Sequence, residues 1–217
     1  MAAPVPASEI PAPILTTPRL LIRPYHPSDA APSQRAADSP AITQYMTNAF
    51  PSPYTLADAN AWIAIASTPT VPPASPSSPA MLLQFAILVY DDDGSTSADG
   101  SSGGSRAATF AGGIGLKPHA DVEARTMEVG YWIAEAYWGR GLATEAVAAF
   151  ARWSFGAVPG LGRLEAGVFE GNEASARVLR KAGFVCEGAR RKTAEKKGRV
   201  FDIGVWGLLK EECLEAE

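Results

Sequence analysis

The stretch 128–184 constrains the fold of this 217-residue chain more than any other part of the sequence. An apolar run at 128–133 is followed by two glycines, Gly139 and Gly141, and then by an alanine-rich run. A second apolar run comes next, and after it a segment that opens on Asn172. This order predicts strand, turn, helix, strand and helix, a pattern typical of a sheet that is covered by helices.

The two glycines stand directly before the run 142–155, which is predicted to be helical. Glycine adopts positive φ without a Cβ clash, so the backbone at Gly139 and Gly141 is free to curl and to approach a ligand closely. The first amides of a helix have no intrahelical acceptor, and the helix dipole adds partial positive charge. These features predict an anion site, to which Thr144 would add a hydroxyl and Arg140 a charge.

A Gly-x-Gly pair before a helix is weak evidence by itself, because most such pairs are only turns. A dinucleotide-binding fingerprint requires a third glycine, and Thr144 stands at that position. The Gly-Lys-Ser/Thr of a nucleoside-triphosphate loop is absent from the sequence. The turn alone therefore leaves both a structural turn and a phosphate site open.

Four ordered motifs are more specific than the turn. Residues 138–143 read Trp-Gly-Arg-Gly-Leu-Ala, residues 172–175 read Asn-Glu-Ala-Ser, and residues 181–184 read Lys-Ala-Gly-Phe. The run 17–23, Thr-Pro-Arg-Leu-Leu-Ile-Arg, is followed by Asp29. In this order the motifs resemble the GCN5-related N-acetyltransferases, and more closely the branch that acetylates the N-termini of ribosomal proteins.

The first of these motifs is similar to the loop that binds the diphosphate of acetyl-CoA in this family. Gly141 and Ala143 carry the match, and Trp138 stands where many members have Arg or Gln. In the family, an opened strand edge holds the pantetheine arm through backbone groups, like an added strand. The resemblance implies acetyl-CoA as cosubstrate, no metal, and cofactor contacts from Trp132, Ile133, Ala134, Trp138, Gly139, Arg140, Gly141, Leu142, Ala143, Thr144, Asn172 and Ser175. The residues also allow Asn172 a plain helix-capping role.

The resemblance and the order of the elements both predict a single α+β domain. Its mixed, mostly antiparallel sheet would carry helices on both faces and open at the cofactor site, where the strand 128–133 diverges from the strand 163–169. Parallel neighbours are expected at the crossovers around the helices 142–155 and 172–181.

The remaining elements follow from apolar runs and capping residues. One strand is predicted over 15–23, and Asp29 is predicted to cap a short helix. Further elements are predicted as a helix over 56–66 capped by Thr55 and strands over 82–90, 109–117, 126–133, 184–191 and 200–209. The domain would span 14–212 after a disordered tail at 1–13, with flexible insertions near 67–80 and 91–107.

The reaction implied by the resemblance is direct acetyl transfer to a primary amine. Glu128 is the first candidate for the base, because it is expected to lie at the opening among apolar neighbours, where the pKa of a carboxylate rises. The other interpretation is a structural glutamate, either paired with an arginine in the sheet or placed at the sheet surface. Leu179 stands where many relatives have the tyrosine that protonates the departing thiolate. Ser175 is a weaker candidate for that acid. Tyr131 should face away from Glu128.

The acceptor is left open by the residues. The branch resemblance favours a protein or peptide N-terminal amine. The alternatives are a small-molecule amine and a non-catalytic acyl-CoA-binding module, and the second is consistent with Leu179.

Composition is typical of a cytoplasmic enzyme. The formal charge of −4 gives no reason to expect a nucleic-acid or membrane partner. Cys186 and Cys213 form neither a metal motif nor a disulfide framework, and residues 1–13 lack the features of a secretion signal. The oligomeric state, monomer or homodimer, is left open.

Overall fold

The computed structural model describes residues 9–70, 80–91 and 106–215. Most of the predicted tail and of the two predicted insertions lies outside these residues. The strands are β1 Leu15–Thr16, β2 Leu20–Pro24, β3 Gln84–Tyr90, β4 Ala108–Pro118, β5 Thr126–Ile133, β6 Arg163–Phe169, β7 Val185–Lys196 and β8 Arg199–Leu209. The helices are α1 Ala30–Ala37, α2 Pro40–Thr43, α3 Leu56–Ala66, α4 Leu142–Ala157, α5 Glu173–Lys181 and α6 Lys210–Leu214.

The strands form one sheet in the order β1-β2-β3-β4-β5-β6-β8-β7. All neighbouring strands in it are antiparallel except β5 and β6, which are parallel and joined by α4. The predicted fold class, a mixed and mostly antiparallel α+β sheet with helices, is therefore confirmed. The predicted second crossover is wrong: α5 joins β6 to β7, but β8 lies between these two strands, because β7 and β8 pair as a long hairpin.

Helices cover both faces of the sheet. On one face, α4 packs Phe150 and Phe155 against Phe85 of β3 and Leu164 of β6, and all four side chains are fully buried. On the other face, the helices α1 and α3 pack against alternate residues of β3 and β4, such as Leu88. Because strand side chains alternate between faces, β5 contributes to both cores.

The N-terminal predictions need two corrections. The predicted strand over 15–23 is a hairpin, in which β1 and β2 pair around a turn held by the Thr17 amide bonded to the carbonyl of Leu20. Asp29 precedes α1 but makes no side-chain capping bond to that helix. Its buried carboxylate instead accepts hydrogen bonds from both Nη groups of Arg23, at 2.7 and 2.8 Å, and from the amide of His26. These hydrogen bonds compensate the loss of hydration that burial of the two charges entails.

Candidate active site

The sheet opens between β5 and β6. Their parallel pairing covers only Thr126, Met127 and Glu128, which face Arg163, Leu164 and Glu165. Beyond this point β5 remains paired with β4 on its other side, and β6 remains paired with β8. The edge of β5 from residue 129 to residue 133 therefore faces a gap instead of a neighbouring strand. An unpaired strand edge presents backbone donors and acceptors to a ligand.

A loop of positive-φ glycines stands at the end of β5. Gly139 has φ +73° and Gly141, the N-cap of α4, has φ +75°. Within the described chain, no hydrogen bond uses the backbone amides of Gly139, Gly141, Leu142, Ala143 or Thr144. The start of α4 thus presents open amides at the positive end of a 16-residue helix, which is a site suited to an anion.

The hairpin between β1 and β2 clamps this loop. Arg19 donates through Nη1 to the carbonyl of Arg140 at 2.7 Å and through Nε to the carboxylate of Glu145 at 2.5 Å. Thr17 donates its hydroxyl to the same carboxylate at 2.6 Å. Partial burial alone would raise the pKa of Glu145, but the hydrogen bonds from Thr17 and Arg19 outweigh it and lower the pKa. The carboxylate is therefore ionised and paired, and its charge is compensated beside the anion site.

Sequence reasoning missed this clamp. The run 17–23 is one of the family motifs, but nothing in the local pattern shows that Arg19 contacts Arg140, 121 positions away. A threonine and an arginine in a tight turn are the only signal that the sequence holds for it.

Three predicted cofactor residues, Trp138, Ile133 and Ala134, form hydrogen bonds within the protein at the end of β5. The Trp138 indole donates to the carbonyl of Ile133 at 2.7 Å. The amide of Ala134 donates to the carbonyl of Ala111 at 2.8 Å, and its carbonyl accepts from the amide of Tyr137. Trp138 and Ala134 therefore brace the loop. Trp132 lies within the opened stretch, and its ring packs near Phe50 and Phe110 at centroid distances of 5.9 and 6.0 Å.

Helix α5 brings a second set of groups to the opening. The side chain of Asn172 accepts from the amide of Ser175 at 3.1 Å, so the capping interpretation of Asn172 is confirmed. The hydroxyl of Ser175 lies 2.8 Å from the hydroxyl of Tyr131, across the gap on β5. Burial raises the pKa of Tyr131 to about 12, although the hydrogen bond with Ser175 works against the rise.

Tyr131 is a functional candidate that sequence reasoning set aside. Its predicted direction, away from Glu128, agrees with its packing against the core on the α4 side. That direction brings it to α5 and to Ser175, which the strand alternation alone did not indicate. Leu179, at the position of the family's usual tyrosine, is fully buried in the same core.

Glu128 lies at the last paired position before the gap. Its carboxylate is 3.7 Å from the ammonium of Lys117 on β4, and its side chain is 40% exposed. The expected burial among apolar neighbours is therefore wrong, because this face of the sheet is open at the beginning of β5. The partner in the sheet is Lys117 and not the predicted arginine, and the exposed side chain agrees with the predicted alternative of a position at the sheet surface.

A cavity of about 440 Å³ lies on the other face of β5. Gly130 and Trp132 border it, and a Cβ added at Gly130 would meet no described atom within 4 Å. Hydrogen bonds from the hydroxyl and then the amide of Thr55 lower the pKa of Asp58, the only carboxylate among its described lining residues. The remaining lining residues are mostly apolar or aromatic: Tyr25, Met46, Thr47, Ala49, Phe50, Pro51, Tyr54, Ala61, Trp62, Ile65, Gln84, Gly113, Ile114 and Tyr131.

Two absences concern the described ranges 9–70, 80–91 and 106–215. No group of three His, Cys, Asp or Glu side chains in them is arranged to hold a metal ion. In the same part of the chain, no helix has both the length and the apolar character that a membrane crossing requires.

The opened strand edge, the glycine loop and the helix start occur together in a known family. The model of the acetyltransferase (GNAT) domain matches residues 19–185, well over half of the chain. The chain belongs to the GNAT family. The opened strand edge, the glycine loop and the pair Tyr131–Ser175 lie within the matched residues, and Thr17 of the clamp lies just before them.

Individual relatives agree with this assignment. YoaA, an uncharacterized N-acetyltransferase of Bacillus subtilis (strain 168), is 38% identical over 86 residues, which cover 40% of this chain and 48% of YoaA. The alignments with this and other curated relatives span about half of their lengths. Two solved structures share the GNAT fold. Mycobacterium smegmatis RimJ in complex with CoA-disulfide has a TM-score of 0.67 at 22% identity, covering 89% of this chain and 83% of RimJ. The ribosomal-protein-S5-alanine acetyltransferase of Vibrio fischeri has a TM-score of 0.64 at 19% identity, covering 91% of this chain and 96% of the acetyltransferase.

Proposed function

We propose that this protein is an acetyl-CoA-dependent N-acetyltransferase that acetylates the N-terminal amine of a protein or peptide. The observation that carries the proposal is the combination of a strand edge open from residue 129 to residue 133 with the unused amides at the start of α4. The first suits an amide-rich arm, and the second suits a diphosphate. In acetyl-CoA, the amide-containing pantetheine arm is joined directly to the diphosphate.

Each part of the site has a proposed role toward acetyl-CoA. The amides of Gly139, Gly141 and Leu142–Thr144 would hold the diphosphate, with the charge of Arg140 beside them. The backbone from Gly130 to the amide of Ile133 would hold the pantetheine arm, since the Ile133 carbonyl is already bound by Trp138. Asn172 would orient Ser175 by capping α5, and Trp138 would keep the loop closed through its bond to the carbonyl of Ile133.

The chemistry requires an activated acetyl group, which the thioester of acetyl-CoA supplies when bound. The acceptor amine enters from the cavity side of β5 and forms the new C–N bond as the C–S bond breaks. The departing sulfur takes up a proton, and the amine nitrogen loses one. Positioning of the two reactants accounts for most of the acceleration in such a direct transfer.

The hydroxyl pair of Tyr131 and Ser175 is proposed to supply the proton for the departing thiolate. The pair takes the place of the tyrosine that Leu179 replaces, and it lies at the gap where the thioester would be held. Its 2.8 Å separation allows one hydroxyl to donate to the sulfur while the other orients it. A phenol with a raised pKa remains protonated at neutral pH and is available as a donor.

Glu128 is proposed to accept the amine proton through intervening water. We expect Glu128→Gln to lower kcat by about tenfold, below the usual range for a direct base, and to leave acetyl-CoA affinity unchanged. The matched control is Lys117→Gln, which breaks the same 3.7 Å ion pair but keeps the carboxylate. Steady-state rates of CoA release measure both variants. Equal losses in the two variants would mean that Glu128 has only a structural role.

The cavity favours a peptide acceptor over a polyamine. A polyamine carries several positive charges, and each would need a carboxylate nearby, but the described lining holds only Asp58. An N-terminal amine carries one charge and is followed by backbone and by a first side chain that apolar walls can accommodate. The alternative acceptor class is a small apolar amine, which the same lining would also admit.

The test has two stages. Calorimetric titration with acetyl-CoA, NADH and ATP is expected to give saturable binding for acetyl-CoA alone, because only that ligand combines the diphosphate with an extended amide-containing arm. CoA release is then measured with peptides that bear free or blocked N-termini, with polyamines and with small aromatic amines. Turnover of free-N-terminus peptides only supports the proposal. Turnover of amines alone favours the small-molecule alternative, and binding without turnover favours a non-catalytic module.

A further inference from the structure

The hairpin of β7 and β8 concentrates positive charge at its tip. Residues 190–199 contain six Lys or Arg and one Glu, a net charge of +5 in a chain whose formal charge is −4. All of the basic side chains except Lys196 are exposed. Neither the proposed cofactor site nor the proposed chemistry uses this cluster.

The tip lies against the rim of the cavity proposed for the acceptor. The ammonium group of Lys196 donates a hydrogen bond to the carbonyl of Met46, a cavity-lining residue. The side-chain amide of Asn48, next to the lining residues Thr47 and Ala49, is 3.4 Å from the carbonyl of Glu195. The basic tip and the cavity mouth are therefore parts of one continuous surface.

Strand register directs part of this charge to the cavity side of the sheet. Glu165 pairs with Glu128, and two residues further on Gly167 and Gly130 therefore lie on the same face of the sheet. Phe169 lies on this face too, and its partner on β8 is Ile203. Arg190 pairs with Ile203, and its Nη2 comes within 3.7 Å of the point where a Cβ of Gly167 would lie.

Arg199 lies on the same face, because it alternates in step with Phe201 and Ile203. Its guanidinium is 4.5 Å from the centroid of the Phe201 ring. A cation–π attraction of this kind holds the guanidinium on this face of the sheet.

Two carboxylates on this open face, those of Glu165 and Glu187, are already engaged by a guanidinium. Glu187 accepts from Arg163 at 2.5 and 2.7 Å, and Glu165 lies 3.7 Å from the same guanidinium. These pairs lie at the other end of β6. Asp202 alternates to the opposite face and accepts from the backbone amide of Lys192.

We infer that the acceptor is a peptide whose residues beyond the acetylated amine are acidic and lie along the face of Arg190 and Arg199. This inference rests on the proposed function and specifies its substrate. The amine and the first side chain occupy the apolar cavity, and the following carboxylates meet the guanidinium groups on the hairpin. Arginine suits this contact because its planar fork matches a carboxylate.

The test compares peptides that share one apolar N-terminal residue and differ downstream in a run of Asp, Asn or Lys. We expect kcat/KM for the Asp peptide to exceed that for the Asn peptide by about tenfold, the lower end of electrostatic steering. Added salt should reduce this preference, because exposed charges are screened. The double variant Arg190→Gln/Arg199→Gln should lose the preference while retaining its rate on the Asn peptide.

The matched control is Arg152→Gln/Lys210→Gln, which removes two exposed charges on α4 and α6 and should keep the preference. Equal kcat/KM for the three peptides, or an equal loss on all peptides in the Arg190/Arg199 variant, would overturn the inference. Calorimetric binding of the same peptides decides the inference independently of turnover. If the Asp peptide binds preferentially but no peptide is acetylated, the proposed function alone has failed.

Discussion

Replacing Gly141 with valine is expected to remove measurable acetyl-CoA binding. Gly141 has φ +75°, a conformation in which an L residue costs roughly 1–2 kcal/mol and a β-branched residue more. The new side chain would also meet Arg19, whose Nη2 lies 3.6 Å from the position of the added Cβ. Because the loop amides are held open by this geometry, we expect affinity to fall by about a hundredfold or more, which corresponds to about 2.7 kcal/mol.

The matched control for this variant is Gly160→Val. Gly160 lies in the turn after α4 with φ +76°, and an added Cβ there would meet no described atom within 4 Å. Both variants therefore carry similar backbone strain, but only Gly141 lies at the proposed diphosphate site. Thermal unfolding should report comparable destabilisation, and calorimetric titration should show lost acetyl-CoA binding for Gly141→Val alone. Unchanged affinity in Gly141→Val would reject the assignment of the loop.

Removing both hydroxyls with Tyr131→Phe/Ser175→Ala is expected to lower kcat by about a hundredfold, the lower limit for loss of a general acid. The two single variants should each lose less, because the remaining hydroxyl still reaches the gap; groups in one hydrogen-bond network are not additive. Acetyl-CoA affinity should change little, since the loop amides are untouched. Single-turnover CoA release measures the chemical step directly.

The control for the lost phenol is Tyr45→Phe. The Tyr45 hydroxyl donates to the carbonyl of Gly171 at 3.0 Å, near α5 but outside the proposed chemistry, so kcat should be retained.

The pH profile tests the protonated state that is assigned to Tyr131. Burial raises its pKa to about 12, so the hydroxyl keeps its proton at neutral and mildly alkaline pH and is lost as a donor only near that value. In that pH range, wild-type kcat should therefore not fall as the pH rises. Tyr131→Phe should leave the shape of the profile unchanged. Such a decline would contradict the assignment, as would a double variant with unaltered kcat.

The local elements of the site could be predicted because their signals are local. Capping residues and apolar runs set the start of α4 at Leu142, the span of β6, the end of α5 at Lys181 and the cap at Asn172. The hairpin of β1 and β2 was predicted as one strand because the turn around Pro18 was not separated from the apolar run 20–22 that follows it. Asp29 was predicted to cap a short helix, but its carboxylate is occupied by Arg23 and by the amide of His26 and makes no capping bond to α1.

By itself the sequence determined the elements, the glycine loop and the family resemblance, because backbone conformation and helix capping depend on a few neighbouring residues. Only the tertiary structure decided which distant groups meet. The contacts of Arg19 with Arg140 and Glu145, the hydroxyl pair of Tyr131 and Ser175, and the insertion of β8 beside β6 join positions far apart in the chain. Such partners are selected by packing and strand register, and no local pattern encodes them.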